Sequence, residues 1–80
     1  MKTLKVRYFA ILREQRGLAE ETLTSNAPDA QTLYQKLETE HAFTLPSDRL
    51  RAAVNGEFQS WPAPLKDGDE IVFIPPVAGG

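Results

Sequence analysis

The chain has 80 residues, 41% hydrophobic and 25% charged, which is the usage of one small globular domain with no room for a second. It contains no cysteine and one histidine. This excludes disulfides, thiolate metal sites, cysteine nucleophiles and a multi-histidine zinc centre, and it fits a reducing compartment. Nine Lys and Arg against eleven Asp and Glu leave a charge of −2 at pH 7, so the basic excess that grips a phosphate backbone is missing and nucleic acid is not an expected partner. The longest apolar run, Ile71 to Val77, carries two prolines and falls far short of the roughly 20 residues that cross a bilayer. The first residues interleave Lys2, Lys5 and Arg7 with apolar positions, unlike the continuous stretch of a signal peptide. No membrane association is expected, and the expected location is cytoplasmic.

In chain order, Leu4, Val6 and Tyr8 alternate with Lys5 and Arg7, a period of two that predicts a strand with one face in the core; Phe9 breaks the polar face. Ala10 to Arg16 reads as a short helix stopped by Gly17, which accepts the left-handed conformation of a helix end. A second strand is expected over Glu20 to Ser25, with Thr22 and Thr24 on one side and Glu21, Leu23 and Ser25 on the other. A longer helix follows Pro28. Asp29 can cap its free amides, Ala30, Leu33, Tyr34 and Leu37 recur at helical spacing, and His41 closes the stripe. Phe43 to Leu50 reads as a connection containing Pro46, in which Ser47 and Asp48 can start one helical turn. Ala52-Ala53-Val54 and Glu57-Phe58-Gln59 flank Asn55-Gly56, the sequence signal of a tight hairpin. Trp61, Pro62 and Pro64 mark a loop. The turn Lys66-Asp67-Gly68-Asp69 then delivers a last strand, Glu70 to Ile74, which Pro75 and Pro76 end because neither can donate to a ladder.

Strand, short helix, strand, long helix, hairpin and strand is the order of a ubiquitin-like β-grasp, an α+β fold in which a mixed sheet is crossed by one long helix. The expected organisation is a β-grasp domain over residues 1–75 and a protruding tail over 76–80.

The tail is the most informative segment. Gly79-Gly80 at a terminus arises by chance in roughly one sequence in 200 at ordinary glycine usage. It leaves the last core strand through two prolines, so it projects stiffly and ends in residues without a Cβ that can thread a narrow channel. The terminal carboxylate, with a pKa of about 3.5, is an anion at neutral pH and a poor acyl acceptor. It needs activation, for example as an acyl-adenylate made from ATP. The chain has no Gly-rich phosphate loop followed by Lys to make one, so a separate activating enzyme is implied.

Lys5-Val6-Arg7-Tyr8-Phe9-Ala10 with Arg13-Glu14, Ala53-Val54-Asn55, Asp67-Gly68-Asp69-Glu70 and the ending Pro75-Pro76-Val77-Ala78-Gly79-Gly80 resemble the family of small, sulfur-carrying subunits of molybdopterin synthase (the MoaD family). The resemblance runs over the whole chain in the same order, and its ending is the specific part. It implies that Gly80, seconded by Gly79, is the reactive end. A partner E1-like adenylyltransferase using ATP would adenylate Gly80, which is then converted to a thiocarboxylate and inserted into the synthase large subunit, where its sulfur builds the dithiolene of molybdopterin. The chain itself would bind no cofactor or metal, and would act as a non-catalytic, sulfur-donating subunit of a transferase. A thiocarboxylate suits that task, being ionised at neutral pH with a polarizable sulfur nucleophile. Related readings are a sulfur carrier for thiamine thiazole or tRNA thiolation, and a ubiquitin-like protein modifier.

Two partners sharing one tail must both hold the stem Pro75, Pro76, Val77 and Ala78 and the surface beside it. If Ile71 and Phe73 face the core, Val72 and Ile74 lie on the other face with Phe9, an exposed apolar cluster of the kind that marks an interface. The remaining candidates read as structural: His41 has no placed nucleophile for a triad, Trp61 lids one end of the core, Arg13 and Glu14 form a solvated helix face, and Tyr34 and Leu37 are core.

Overall fold

The first strand, β1, spans Lys2–Tyr8 in the computed structural model, which describes residues 1–76. Its Leu4, Val6 and Tyr8 are all but fully buried while Thr3, Lys5 and Arg7 are exposed, as the alternation demands. The short helix α1, Ile11–Arg16, ends at Gly17 in the left-handed conformation, φ 80°. It starts one residue later than the sequence suggests, because Ala10 sits at φ 52° and outside the helical region. β2 (Glu20–Ser25) pairs antiparallel with β1 and turns Glu21, Leu23 and Ser25 inward.

Helix α2, Ala30–His41, is capped by Asp29, whose carboxylate accepts the Thr32 N–H at 2.7 Å. Its buried stripe of Ala30, Leu33, Tyr34 and Leu37 packs over the inward residues of the sheet. A 3-10 turn at Ser47–Arg49 leads into β3, Arg51–Val54, and β4, Glu57–Gln59. The two are joined by Asn55 (φ 54°) and Gly56 (φ 85°), the pair of left-handed residues that a two-residue hairpin loop of this twist requires. β5, Glu70–Ile74, runs parallel to β1 and antiparallel to β3, so the sheet order is β2-β1-β5-β3-β4. This is the mixed sheet crossed by one long helix that defines the β-grasp. No helix among the described residues is long and apolar enough to cross a membrane.

Residues from the Phe43 to Leu50 connection complete the core, a role that no periodicity announces. Phe43 and Leu50 are each 5% exposed. The Phe43 ring stacks on Tyr34 at 5.7 Å and meets Tyr8 edge-on at 5.9 Å, while Tyr34 meets Phe73 edge-on at 5.2 Å. A chain of four aromatics therefore links β1, the connection, α2 and β5, in the offset and edge-on geometries that aromatic rings prefer. The Tyr34 hydroxyl donates to the Leu45 carbonyl at 2.7 Å and is pushed up to about 12 by burial.

Where β1, α1 and β2 meet, Arg16 forks onto Glu21 with two hydrogen bonds of 2.8 Å, and the Tyr8 hydroxyl donates to the same carboxylate at 2.6 Å. The Arg16 guanidinium, aided by the Tyr8 hydroxyl, holds the Glu21 carboxyl below the usual range against the opposing cost of burial. A carboxylate depressed in the folded state adds stability above its unfolded pKa of about 4.3, and loses that contribution as pH falls through the lower folded value. Replacing Glu21 by Gln is expected to cost about 1 kcal/mol at pH 7, a few degrees of melting temperature in a chain this size. The gap between variant and parent should close as the solution is acidified below about pH 4. Thermal melts across pH check this, and two curves that stay parallel into acid would show that the ion pair is not coupled to folding.

Candidate functional site

β5 is the strand that runs into Pro75 and Pro76. At its start, Asn55 reaches over from the hairpin: its side-chain carbonyl accepts the Glu70 N–H at 2.9 Å and its amide donates to Asp69 at 2.8 Å. The other Asp69 oxygen accepts the Lys66 N–H at 2.8 Å, and Asp67 accepts the Thr3 N–H at 2.6 Å. Gly68, at φ 88°, takes the turn that lets its own N–H reach the Thr3 carbonyl at 2.7 Å. The Asp-Gly-Asp turn and Asn55, two of the segments that carry the sequence resemblance, thus have structural work: they set the register in which β5 enters between β1 and β3.

Along β5 the facing follows the expected alternation. Ile71 and Phe73 are 0% exposed, whereas Val72 and Ile74 are half-buried on the opposite face. Ile74 is less exposed than the sequence suggests, because it lies in a shallow groove with Arg49, Arg51, Phe58, Pro75 and Pro76. Pro75 is buried and Pro76 exposed. Phe9 is 44% exposed and follows Tyr8, the register partner of Phe73, which places it at the same end of the sheet as Ile74. Val77, Ala78, Gly79 and Gly80 lie outside the described residues.

Register also shows what the sequence reading missed. Arg7 pairs with Val72, Val72 with Ala53 and Ala53 with Phe58, so one row crosses the outer face and ends at Phe58, the most exposed aromatic at 64%. The signal was available, since a two-residue Asn-Gly loop fixes the hairpin pairing and puts Phe58 opposite Ala53. The face is graded. Toward β2, Lys5 and Arg7 are engaged with Glu20 at 3.8 and 3.4 Å, and Lys5 with Glu70 at 4.0 Å. Toward β3 and β4 it is apolar, with the Arg51 guanidinium over the Phe58 ring at 5.8 Å from its centroid.

The other candidates fall into structural places. The half-buried His41 lies against Phe43, ring centroids 5.8 Å apart, with its Nε2 3.8 Å from the Glu40 carboxylate. Trp61 packs on the core and donates its indole N–H to the Ser47 carbonyl at 3.0 Å, closing one end as a lid. Arg13 and Glu14 are exposed on α1, and Tyr34 and Leu37 are in the core.

Comparison with known proteins agrees with this architecture. The chain is 38% identical to the molybdopterin synthase sulfur carrier subunit of Escherichia coli over 80 residues, 96% of this chain and 99% of that protein. It superposes with TM-score 0.65 on a chain from the complex of subunits 1 and 2 of the molybdopterin-converting factor of Helicobacter pylori, 28% identical, covering 98% of this chain and 99% of that one. The small archaeal modifier protein 1 of Methanosarcina acetivorans gives TM-score 0.77 at 25% identity, covering 100% of this chain and 98% of that one. Residues 6–80 match the ThiS family, and with nearly its whole length so matched the chain belongs to that family.

Proposed function

We propose that the chain is the sulfur carrier subunit of molybdopterin synthase. The observation that carries this reading is end-to-end likeness to a protein of that name, with the ending Pro75-Pro76-Val77-Ala78-Gly79-Gly80 following directly on a β5 locked in the sheet. The reactive group is the Gly80 carboxylate. It attacks the α-phosphate of ATP in an E1-like partner and releases pyrophosphate, and a sulfur nucleophile then displaces AMP to leave the thiocarboxylate. In the large subunit the thiocarboxylate sulfur attacks the substrate carbon that becomes part of the dithiolene, and water then cleaves the acyl–sulfur bond, leaving the sulfur on the substrate and returning Gly80 as a carboxylate. The chain's own part is presentation, with no cofactor bound to it, and the reaction belongs to the reducing conditions of the cytoplasm. A protein-modifier role is the second reading, favoured by the likeness to the archaeal modifier.

Intact mass after expression with the activating enzyme and a sulfur source separates the two. Exchange of one terminal oxygen for sulfur is expected, whereas conjugation would give a far heavier amide-linked product. A chain extended past Gly80 and left unprocessed should stay unmodified and support no molybdopterin formation. Turnover by that extended chain would sink the carrier reading.

Gly79→Val tests the stem. The last residue of the core cluster among the described residues is Phe73, so the melting temperature should move by no more than about 1–2 °C. Transfer should nonetheless collapse, because a β-branched side chain stiffens and widens the segment next to the reacting carbonyl. Unimpaired transfer would show that no narrow channel is threaded.

The two faces of β5 make a paired prediction. Phe73→Asp buries an unpaired charge at a cost of several kcal/mol, enough to unfold a small domain. Ile74→Asp, at the half-buried groove position, should leave a folded domain that melts a few degrees lower and binds both the large subunit and the activating enzyme at least tenfold more weakly. Melts and titrations of both variants check this, and a folded Phe73→Asp variant beside an unfolded Ile74→Asp variant would invert the facing.

A further inference from the structure

Where the chain leaves the sheet, the groove holding Ile74 is flanked by two arginines. Arg51 is the register partner of Ile74 at the start of β3, and Arg49 closes the 3-10 turn just before it. Neither is in an ion pair among the described residues, whereas Lys5 and Arg7 on the same sheet are neutralised by Glu20 and Glu70. Lys2, Arg13, Lys36 and Lys66 are likewise outside the ion pairs, but only Arg49 and Arg51 line one groove, so two exposed guanidinium groups stand together beside Ile74 and the proline stem. Arg51 also lies over the Phe58 ring at 5.8 Å. Stacking removes part of its rotamer freedom and leaves the fork of the guanidinium able to meet a carboxylate with two parallel hydrogen bonds.

We infer that Arg49 and Arg51 dock an acidic segment of the large subunit, its carboxylates meeting the two guanidinium groups while neighbouring aliphatic carbons fill the groove between Phe58 and Ile74. This rests on the sulfur-carrier reading above. Protein carboxylates suit the site better than a nucleotide phosphate, because its floor is apolar: Phe58, Ile74 and the proline stem match the methylenes of a glutamate and nearby aliphatic side chains, not a strongly hydrated polyphosphate. The groove is also continuous with the row Phe58, Ala53 and Val72, so an occupant seated there covers the apolar face and the tail exit together. Charges at the rim of an interface act chiefly on encounter, so the arginines govern how fast the complex forms more than how long it lasts.

The test measures association and dissociation rates of the full chain with purified large subunit at low and high salt. Arg49→Glu combined with Arg51→Glu is expected to slow association about ten- to a hundredfold at low salt, to flatten its salt dependence, and to change dissociation little. Arg51→Lys should keep most of the rate. Lys36→Glu, on the exposed side of α2, shifts net charge in the same direction away from the groove and should stay within about twofold of the parent. All variants should stay folded; the Lys36→Glu melt should coincide with the parent's, and the double variant should melt no more than about 5 °C lower, the loss of the Arg51 contact with Phe58. Unchanged rates and salt slope in the double variant would overturn the inference. So would an equal loss with Lys36→Glu, which would assign the effect to net charge. If the parent chain does not bind the large subunit, the carrier reading falls as well; if the parent binds and the double variant binds as fast, only the arginine dock falls.

Discussion

The fold depends on the insertion of the last strand between two others that meet nowhere else. β5 takes parallel hydrogen bonds from β1 on one edge and antiparallel bonds from β3 on the other. Without it the sheet separates into the β1–β2 pair and a short β3–β4 hairpin, each below the size at which strands are stable alone. Parallel pairing with β1 must close a loop of some sixty residues, which costs entropy before any contact offsets it. The compensation is concentrated in two side chains. Ile71 and Phe73 are fully buried and each contributes about 1.5–3 kcal/mol, while Asn55 and Asp69 hold the strand in register. The residues that close the core and the residues from which the tail departs are therefore the same segment.

That economy shapes both faces of the sheet. The inner face is covered by α2 and joined by the aromatic chain Tyr8, Phe43, Tyr34 and Phe73. Among the described residues no element covers the outer face, yet it is not uniformly apolar. Lys5 and Arg7 on β1, Glu20 on β2 and Glu70 at the start of β5 interleave charge across that side, which suppresses indiscriminate pairing, and the β4 edge is only three residues long, another way in which natural sheets blunt an open edge. The apolar residues left over, Phe58, Val72 and Ile74, gather on the side where the tail leaves. The apolar part of the outer face is thereby confined to the end of the sheet where β5 runs into Pro75 and Pro76.

Much of this was legible in the sequence, and for reasons that can be named. Period-two alternation gave β1 and the facing of β5, Gly17 and Asp29 marked helix ends by their chemistry, and Asn55-Gly56 fixed the hairpin. Phe43 and Leu50 escaped because isolated apolar residues in a connection carry no period; their burial is decided by what they meet across the fold. The Arg16–Glu21–Tyr8 cluster escaped because it joins three elements whose packing the chain order does not reveal. Of the candidate site, the facing of Val72 and Ile74 was readable from alternation. The groove around Ile74 was not, since Arg49, Arg51 and Phe58 come to it from a turn and two other strands.

The division of labour explains why so little chemistry is visible in the side chains. On the proposed reading the reactive group is the terminal carboxylate, and its activation falls to the partner enzyme. What the chain must supply is a base that does not yield when the tail is drawn into a partner. β5 is held on both edges and at its start by Asn55 and Asp69, so displacing it breaks two ladders at once. A stem leaving from an edge strand would instead peel one ladder at a time. Placing the last strand at the centre of the order β2-β1-β5-β3-β4 is thus the feature of the β-grasp that suits it to carrying a group on its end.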